Sequence, residues 1–159
     1  MPDALNDLAA FLVEAKRRTY AGLDDDATIA APLLAGSKQL EHCAPPYTYR
    51  DIYFGMGFFV GQETVSRDGR VVWSMCYSGG ARSDVDERAT LQSIYKFLRQ
   101  ALLAVSVEMP YRGPAILTGG DLVYRNDVEG SIERFRGVEV ISQGGVDLYE
   151  LRYGGGLLR

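Results

Sequence analysis

Hydrophobic positions recur at helical spacing in two parts of the chain. The first pattern predicts a helix from about Asp3 to about Gly22, and the second predicts a helix that ends before Pro110. The sequence from Ser83 to Asp86 resembles a capping box, so we expect the second helix to begin there. The two apolar faces are formed by Leu5, Leu8, Leu12 and Ala15, and by Leu91, Ile94, Tyr95, Leu98 and Leu102.

Apolar and polar residues alternate in the stretches that follow each helix, which is the pattern of half-buried strands. Asp68-Gly69 is a strong signal for a two-residue turn between two such strands. Counting outward from this turn places Trp73 and Tyr77 on the apolar face of the sheet and Glu63 on the opposite face.

The strand region of the first half resembles that of the second half. Residues 59–80 match residues 135–156 at a constant offset, and Tyr49-Arg50-Asp51 matches Tyr124-Arg125-Asn126 just upstream. The identical pairs of the longer match are Phe59/Phe135, Gly61/Gly137, Glu63/Glu139, Ser66/Ser142, Gly69/Gly145, Tyr77/Tyr153, Gly79/Gly155 and Gly80/Gly156. We interpret the match as an internal duplication.

These patterns predict a single α+β domain that spans residues 1–159. It would consist of two tandem helix-plus-three-strand pseudo-repeats, at about 3–80 and 83–159. Together they would form a six-stranded, mostly antiparallel sheet with two helices on one face. The stretch 22–46 is long for a connection, so we expect it to be partly ordered or functional.

Composition argues against some classes of function but does not identify the activity. The net charge is −4 and the isoelectric point about 5.0, which argues against direct binding of nucleic acid. Two cysteines and no signal-like or membrane-spanning segment predict a cytoplasmic protein. A single histidine disfavours a metal site, and no phosphate-binding glycine motif is present, so we expect neither a metal nor a cofactor.

A glycine stands two residues before a glutamate in both matching stretches, at Gly61-x-Glu63 and Gly137-x-Glu139. Glycine on a strand leaves room for a molecule to lie against the sheet. In the predicted register both glutamates face the open side, near the axis between the pseudo-repeats. There they could bind a cationic ligand or act as an acid–base pair. Alternatively, each glutamate is structural and pairs with an arginine.

Aromatic and basic residues add candidates for a ligand site. Trp73 and Tyr77 lie on a predicted strand, and Tyr111-Arg112 lies in a loop bounded by Met109 and Pro114. Tyrosine and tryptophan rings suit a flat organic ligand, and arginine can bind a carboxylate or phosphate through two hydrogen bonds. Core packing and loop hydrogen bonding are the alternative roles for these residues.

Several motifs together are similar to a known family. They are Phe11-Leu12 with Ala15-Lys16-Arg17, Gly36-Ser37, Tyr49-x-Asp51-x-Tyr53-x-Gly55, Phe59-x-Gly61-x-Glu63, Val72-Trp73-x-Met75-x-Tyr77-x-Gly79, Tyr111-Arg112-Gly113-Pro114, Phe135-x-Gly137-x-Glu139 and Tyr149-x-Leu151-x-Tyr153-x-Gly155-Gly156. The combination resembles the bacterial DUF5680 family, a domain of unknown function. Some of its members follow a helix-turn-helix domain in regulators. The resemblance implies a module that senses an effector, and it implies no catalytic residue.

We therefore expect a small-molecule-binding or effector-sensing module whose site includes Glu63, Glu139, Trp73, Tyr77, Tyr111 and Arg112. One alternative is a metal-independent hydrolase or isomerase that uses the two glutamates as acid and base. Another is a protein-interaction module that forms a homodimer through the open sheet face.

Overall fold

The alternating stretches of the sequence form one antiparallel sheet, and the two helical stretches pack on it. The structure is a computed structural model that describes residues 2–19 and 28–159. The side chain of Asp3 and the predicted helix end near Gly22 lie outside the described residues. In chain order the elements are α1 (Pro2–Arg18), β1 (Lys38–Ala44), β2 (Tyr47–Gly55), β3 (Phe58–Arg67), β4 (Arg70–Ala81), α2 (Arg88–Leu103), β5 (Ile116–Gly119), β6 (Leu122–Ser131), β7 (Arg134–Gln143) and β8 (Val146–Leu157).

The sheet has eight strands in the order β1-β2-β3-β4-β8-β7-β6-β5, and all neighbours are antiparallel. Strands β4 and β8 meet at its centre, where residues 73–81 pair with residues 149–157. The prediction of a six-stranded sheet made of two helix-plus-three-strand pseudo-repeats is therefore wrong. The architecture is still α+β.

The two strands that the prediction lacks are the outer ones, β1 and β5. Strand β1 lies within the stretch predicted to be a connection, and its sequence KQLEHCA has few apolar residues. Strand β5 has only four residues, ILTG. Edge strands are often short and polar, because only one side of their backbone is paired. Hydrophobic alternation therefore gives little sign of either strand.

A β-bulge changes the predicted faces of the hairpin between β3 and β4. The register shifts between Val65 and Ser66, so that Val65 pairs with Trp73. Because side chains alternate along a strand, a shift by one residue moves Glu63 onto the same face as Trp73. A shift at the matching place in β7–β8 does the same for Glu139. Both glutamates are buried on the helix-covered face, at 2% and 0% exposure, and their predicted position on the open face is wrong.

Each helix buries one apolar stripe in the same core as the inward side chains of the sheet. The predicted core positions Leu8, Leu12 and Ala15 of α1 and Ile94, Leu98 and Leu102 of α2 are buried. Helix α2 begins at Arg88, and its N-cap Glu87 makes no side-chain capping hydrogen bond. The capping box predicted at Ser83–Asp86 is therefore wrong.

Candidate functional site

A cavity of about 640 Å³ lies between α2 and strands β2, β3 and β4. Strand β2 contributes Tyr49, Asp51 and Tyr53 at alternating positions, because every second side chain of a strand points to the same face. Helix α1 reaches the cavity with Lys16, and the loop before β5 reaches it with Tyr111 and Arg112. The cavity therefore draws its walls from distant parts of the sequence.

Two carboxyl groups form the floor of this cavity. Asp51 and Glu63 stand directly opposite each other on β2 and β3, and they are 3% and 2% exposed. Lys16 is ion-paired with Glu63, and the hydroxyl of Tyr77 donates a hydrogen bond of 2.7 Å to Asp51 Oδ1. Like charges at directly opposed strand positions repel, so this arrangement is unfavourable when both carboxyls are ionised.

Proton binding relieves that repulsion. Burial, together with the charge of Glu63, raises the pKa of the Asp51 carboxyl from 3.8 to about 7. Burial also lowers the pKa of Lys16, against the attraction of Glu63. The pKa of Tyr77 lies well above its usual value, because the ring is buried and two carboxyls are near. Asp51 can therefore gain or lose a proton near neutral pH.

A second set of polar groups surrounds Glu139, and hydrogen bonds link these groups and the Glu139 carboxylate. Arg112 donates two hydrogen bonds to the Glu139 carboxylate, at 2.6 and 3.2 Å. The hydroxyls of Tyr124 and Tyr149 donate to the same carboxylate at 2.6 and 2.8 Å. Here Asn126, and not an aspartate, accepts the hydrogen bond of 2.7 Å from Tyr153. Glu139 is thus fully paired, and it is not among the residues that line the cavity.

The glycines of the two Gly-x-Glu stretches make room for tyrosines of the chain itself. Gly61 pairs with Tyr77, and Gly137 pairs with Tyr153. A Cβ atom on Gly61 would lie 2.3 Å from the Tyr77 hydroxyl, and one on Gly137 would lie 2.2 Å from Cζ of Tyr153. The room that the sequence suggested for a ligand is therefore occupied by these rings, which reach across the glycines to Asp51 and Asn126.

The structure brings together four of the six predicted site residues. Those that line the cavity are Glu63, Tyr77, Tyr111 and Arg112. Glu139 lies beside the cavity as the ion-pair partner of Arg112. Trp73 is fully buried, and it stacks on Phe135 with 5.7 Å between the ring centroids. Trp73 is thus a core residue.

Sequence reasoning missed Asp51 and Lys16. A signal for Asp51 was present, because Tyr49-x-Asp51 matches Tyr124-x-Asn126 and the two halves differ there in one ionisable group. Lys16 gave no such signal. It stands in a basic run at the end of a helix, and such runs are usually solvated.

Among residues 2–19 and 28–159, no group of three His, Cys, Asp or Glu side chains is arranged to hold a metal ion. Within the same residues, no helix is long and apolar enough to cross a membrane.

Comparison with protein families gives a match over most of the chain. The sequence profile of DUF5680, a domain of unknown function, matches residues 51–158. No curated protein matches the chain, and no solved structure does.

Proposed function

The chain belongs to the DUF5680 family of domains of unknown function, and we propose that it binds a small organic molecule in the cavity between α2 and β2–β4. Such a module would serve as a ligand-binding or effector-sensing domain. Small-molecule sites are typically cavities of a few hundred Å³ with aromatic walls and with polar groups that fix the orientation of the ligand. Here the aromatic walls include Tyr53, Phe59, Tyr95 and Tyr111.

One observation carries the proposal: the buried carboxyls at and beside the cavity floor outnumber the buried cations among the described residues. Within the described part of the chain, Asp51, Glu63 and Glu139 have two buried cations, Lys16 and Arg112, and Arg112 is ion-paired with Glu139. Buried carboxylates need a cation or hydrogen-bond donors. Among residues 2–19 and 28–159, Tyr77 is the side chain that donates a hydrogen bond to Asp51, and Asp51 lines an open cavity. A ligand with a hydroxyl or amine group supplies the donor that this set lacks.

The acid–base pair of Glu63 and Glu139 receives no support from the geometry. Their strands, β3 and β7, are separated by β4 and β8, and three strand spacings amount to about 14 Å. Two carboxyls of a glycosidase lie about 5 to 10 Å apart. The homodimer through the open face and the cytoplasmic location stay predictions.

The proposal is tested by thermal unfolding of the purified protein against a metabolite library. A bound ligand raises the melting temperature by mass action, because it binds the folded chain alone. We expect at least one compound that raises the melting temperature of the wild type and has no effect on Gln92→Trp, since Gln92 lines the cavity and a tryptophan there fills it.

Gln100→Trp is the matched control. Gln100 is an exposed glutamine of the same helix, and it is not among the lining residues. The compound must still raise the melting temperature of this variant. Equal shifts in both tryptophan variants would place binding elsewhere and contradict the proposal.

A further inference from the structure

We infer that the ligand is a small organic anion, and that its acidic group is bound at the mouth of the cavity by four cationic side chains. The inference rests on the proposed function, because it names the ligand class for the same cavity. The four cations, here called the rim cations, are Lys38, Arg88, Lys96 and Arg99.

The rim cations are not ion-paired within residues 2–19 and 28–159, because none of the four has a carboxylate partner there. The exposed arginines Arg82, Arg136 and Arg152 form ion pairs, and so does the half-buried Arg50. Within the described residues Arg70, Arg125 and Arg134 are exposed and form none, but they do not line the cavity. The chain has 21 acidic and 17 basic residues. The cavity mouth thus gathers four cations that form no ion pair among the described residues, on a chain whose net charge is negative.

Helix α2 concentrates this charge. Its sequence, RATLQSIYKFLRQALL, contains Arg88, Lys96 and Arg99 and no acidic residue. At 100° per residue the three positions fall within about 80° of one another around the helix axis, so they share one face. Lys38 reaches the cavity from strand β1. Cations around a cleft focus the field and raise the local concentration of anions.

The rim cations are adjacent to an aromatic wall, which indicates a flat body for the ligand. The ammonium group of Lys38 lies 6.0 Å from the centre of the Tyr53 ring, and the charge of Arg99 acts on the Tyr53 hydroxyl. Tyr95 forms a further part of the wall, and its hydroxyl donates a hydrogen bond of 2.7 Å to the carbonyl of Gly57. The ring of a ligand would pack here, between an acidic group at the mouth and a donor at Asp51.

Two fluorescent dyes with the same aromatic body isolate the effect of the negative charge. Anilinonaphthalene sulfonate is an anion, and N-phenylnaphthylamine is the neutral compound without the sulfonate. Both fluoresce more strongly in an apolar cavity. We expect the anion to bind about tenfold more tightly at low ionic strength, and we expect this advantage to shrink as salt is added.

Variants that remove positive charge test whether the rim cations cause the tighter binding of the anionic dye. In Lys96→Gln/Arg99→Gln we expect the anion to bind about tenfold more weakly and the neutral dye to bind as before. The control is Arg125→Gln/Arg134→Gln, which removes the same charge from two exposed residues outside the cavity. In this control both dyes must bind as they do to the wild type.

The failure of this inference differs from the failure of the proposed function. If Gln92→Trp leaves the binding of both dyes unchanged, the cavity is not the site and both conclusions fall. If Gln92→Trp blocks the neutral dye but the rim variants do not weaken the anion, the cavity stands and the anionic ligand class is wrong. If the rim variants do weaken the binding of the anionic dye, competition by naphthoate and by naphthyl phosphate distinguishes a carboxylate ligand from a phosphate ligand. Failure of both compounds to displace the anionic dye would also contradict the inference.

Discussion

Replacement of Asp51 by asparagine should stabilise the protein at high pH and much less at low pH. The carboxyl has a pKa of about 7 in the folded chain and an ordinary value of 3.8. Because its pKa is raised by folding, the group favours the folded state below pH 3.8, and this contribution is lost progressively up to about pH 7. One pKa unit corresponds to about 1.4 kcal/mol. The ionised carboxyl therefore costs on the order of 4 kcal/mol above pH 7.

Asparagine removes the charge and keeps the shape. The amide oxygen of Asn126 already accepts a hydrogen bond of 2.7 Å from Tyr153, the same length as the bond from Tyr77 to Asp51. An asparagine in place of Asp51 should therefore keep Tyr77 in position. We expect the free energy of unfolding of Asp51→Asn, relative to wild type, to increase by about 3 to 4 kcal/mol between about pH 4 and about pH 8.

The assay is urea unfolding at about pH 4, 6 and 8, followed by the fluorescence of the single buried tryptophan, Trp73. Asp127→Asn is the control, because Asp127 is exposed and its charge lies in water in both states. The reasoning is refuted if the stability difference between Asp51→Asn and wild type is the same at all three pH values. That result would mean that folding does not change the pKa of Asp51.

Two further changes test the packing around the two polar sets. Gly61→Ala puts a methyl group 2.3 Å from the Tyr77 hydroxyl, whereas Gly57→Ala meets no atom within 4 Å. We expect the first to lower the free energy of unfolding by about 1 to 3 kcal/mol more than the second, and equal losses in urea unfolding would contradict the clash. Glu139→Ala leaves Arg112 buried without its ion pair, so we expect a loss of about 3 to 5 kcal/mol. A loss below about 1 kcal/mol would show that water or another acceptor reaches Arg112.

The sequence pattern predicted the central strands and both helices. Their apolar residues pack against the core, so these residues must recur at the period of a strand or of a helix. Leu12 and Leu98, for example, lie where the helical spacing places them. The prediction from the sequence pattern was wrong where the backbone departs from the regular period of a strand. The bulge beside Val65 adds one residue to the register, and no side chain near it marks the place. The face of Glu63 was therefore predicted wrongly.

The candidate site was predictable only in part, for a related reason. Glu63, Tyr77 and Arg112 stand in motifs that are visible along the chain. The partner of Glu63 is Lys16, which lies 47 residues away in a helix. Nothing local relates two such residues, since their contact depends on how α1 crosses the sheet. The rim cations of α2 are hidden in the same way, because helical spacing shows which residues share a face and not what that face covers.

The long sequence separations in the cavity have a consequence for folding. Its walls come from α1, from β2–β4, from α2 and from the loop that contains Arg112, so no short segment can form the site in advance. Contacts of this kind form late, because the chain must first close large loops. A ligand would therefore recognise the fully assembled chain and not a partly folded intermediate. Its binding energy would slow unfolding and leave the rate of folding nearly unchanged.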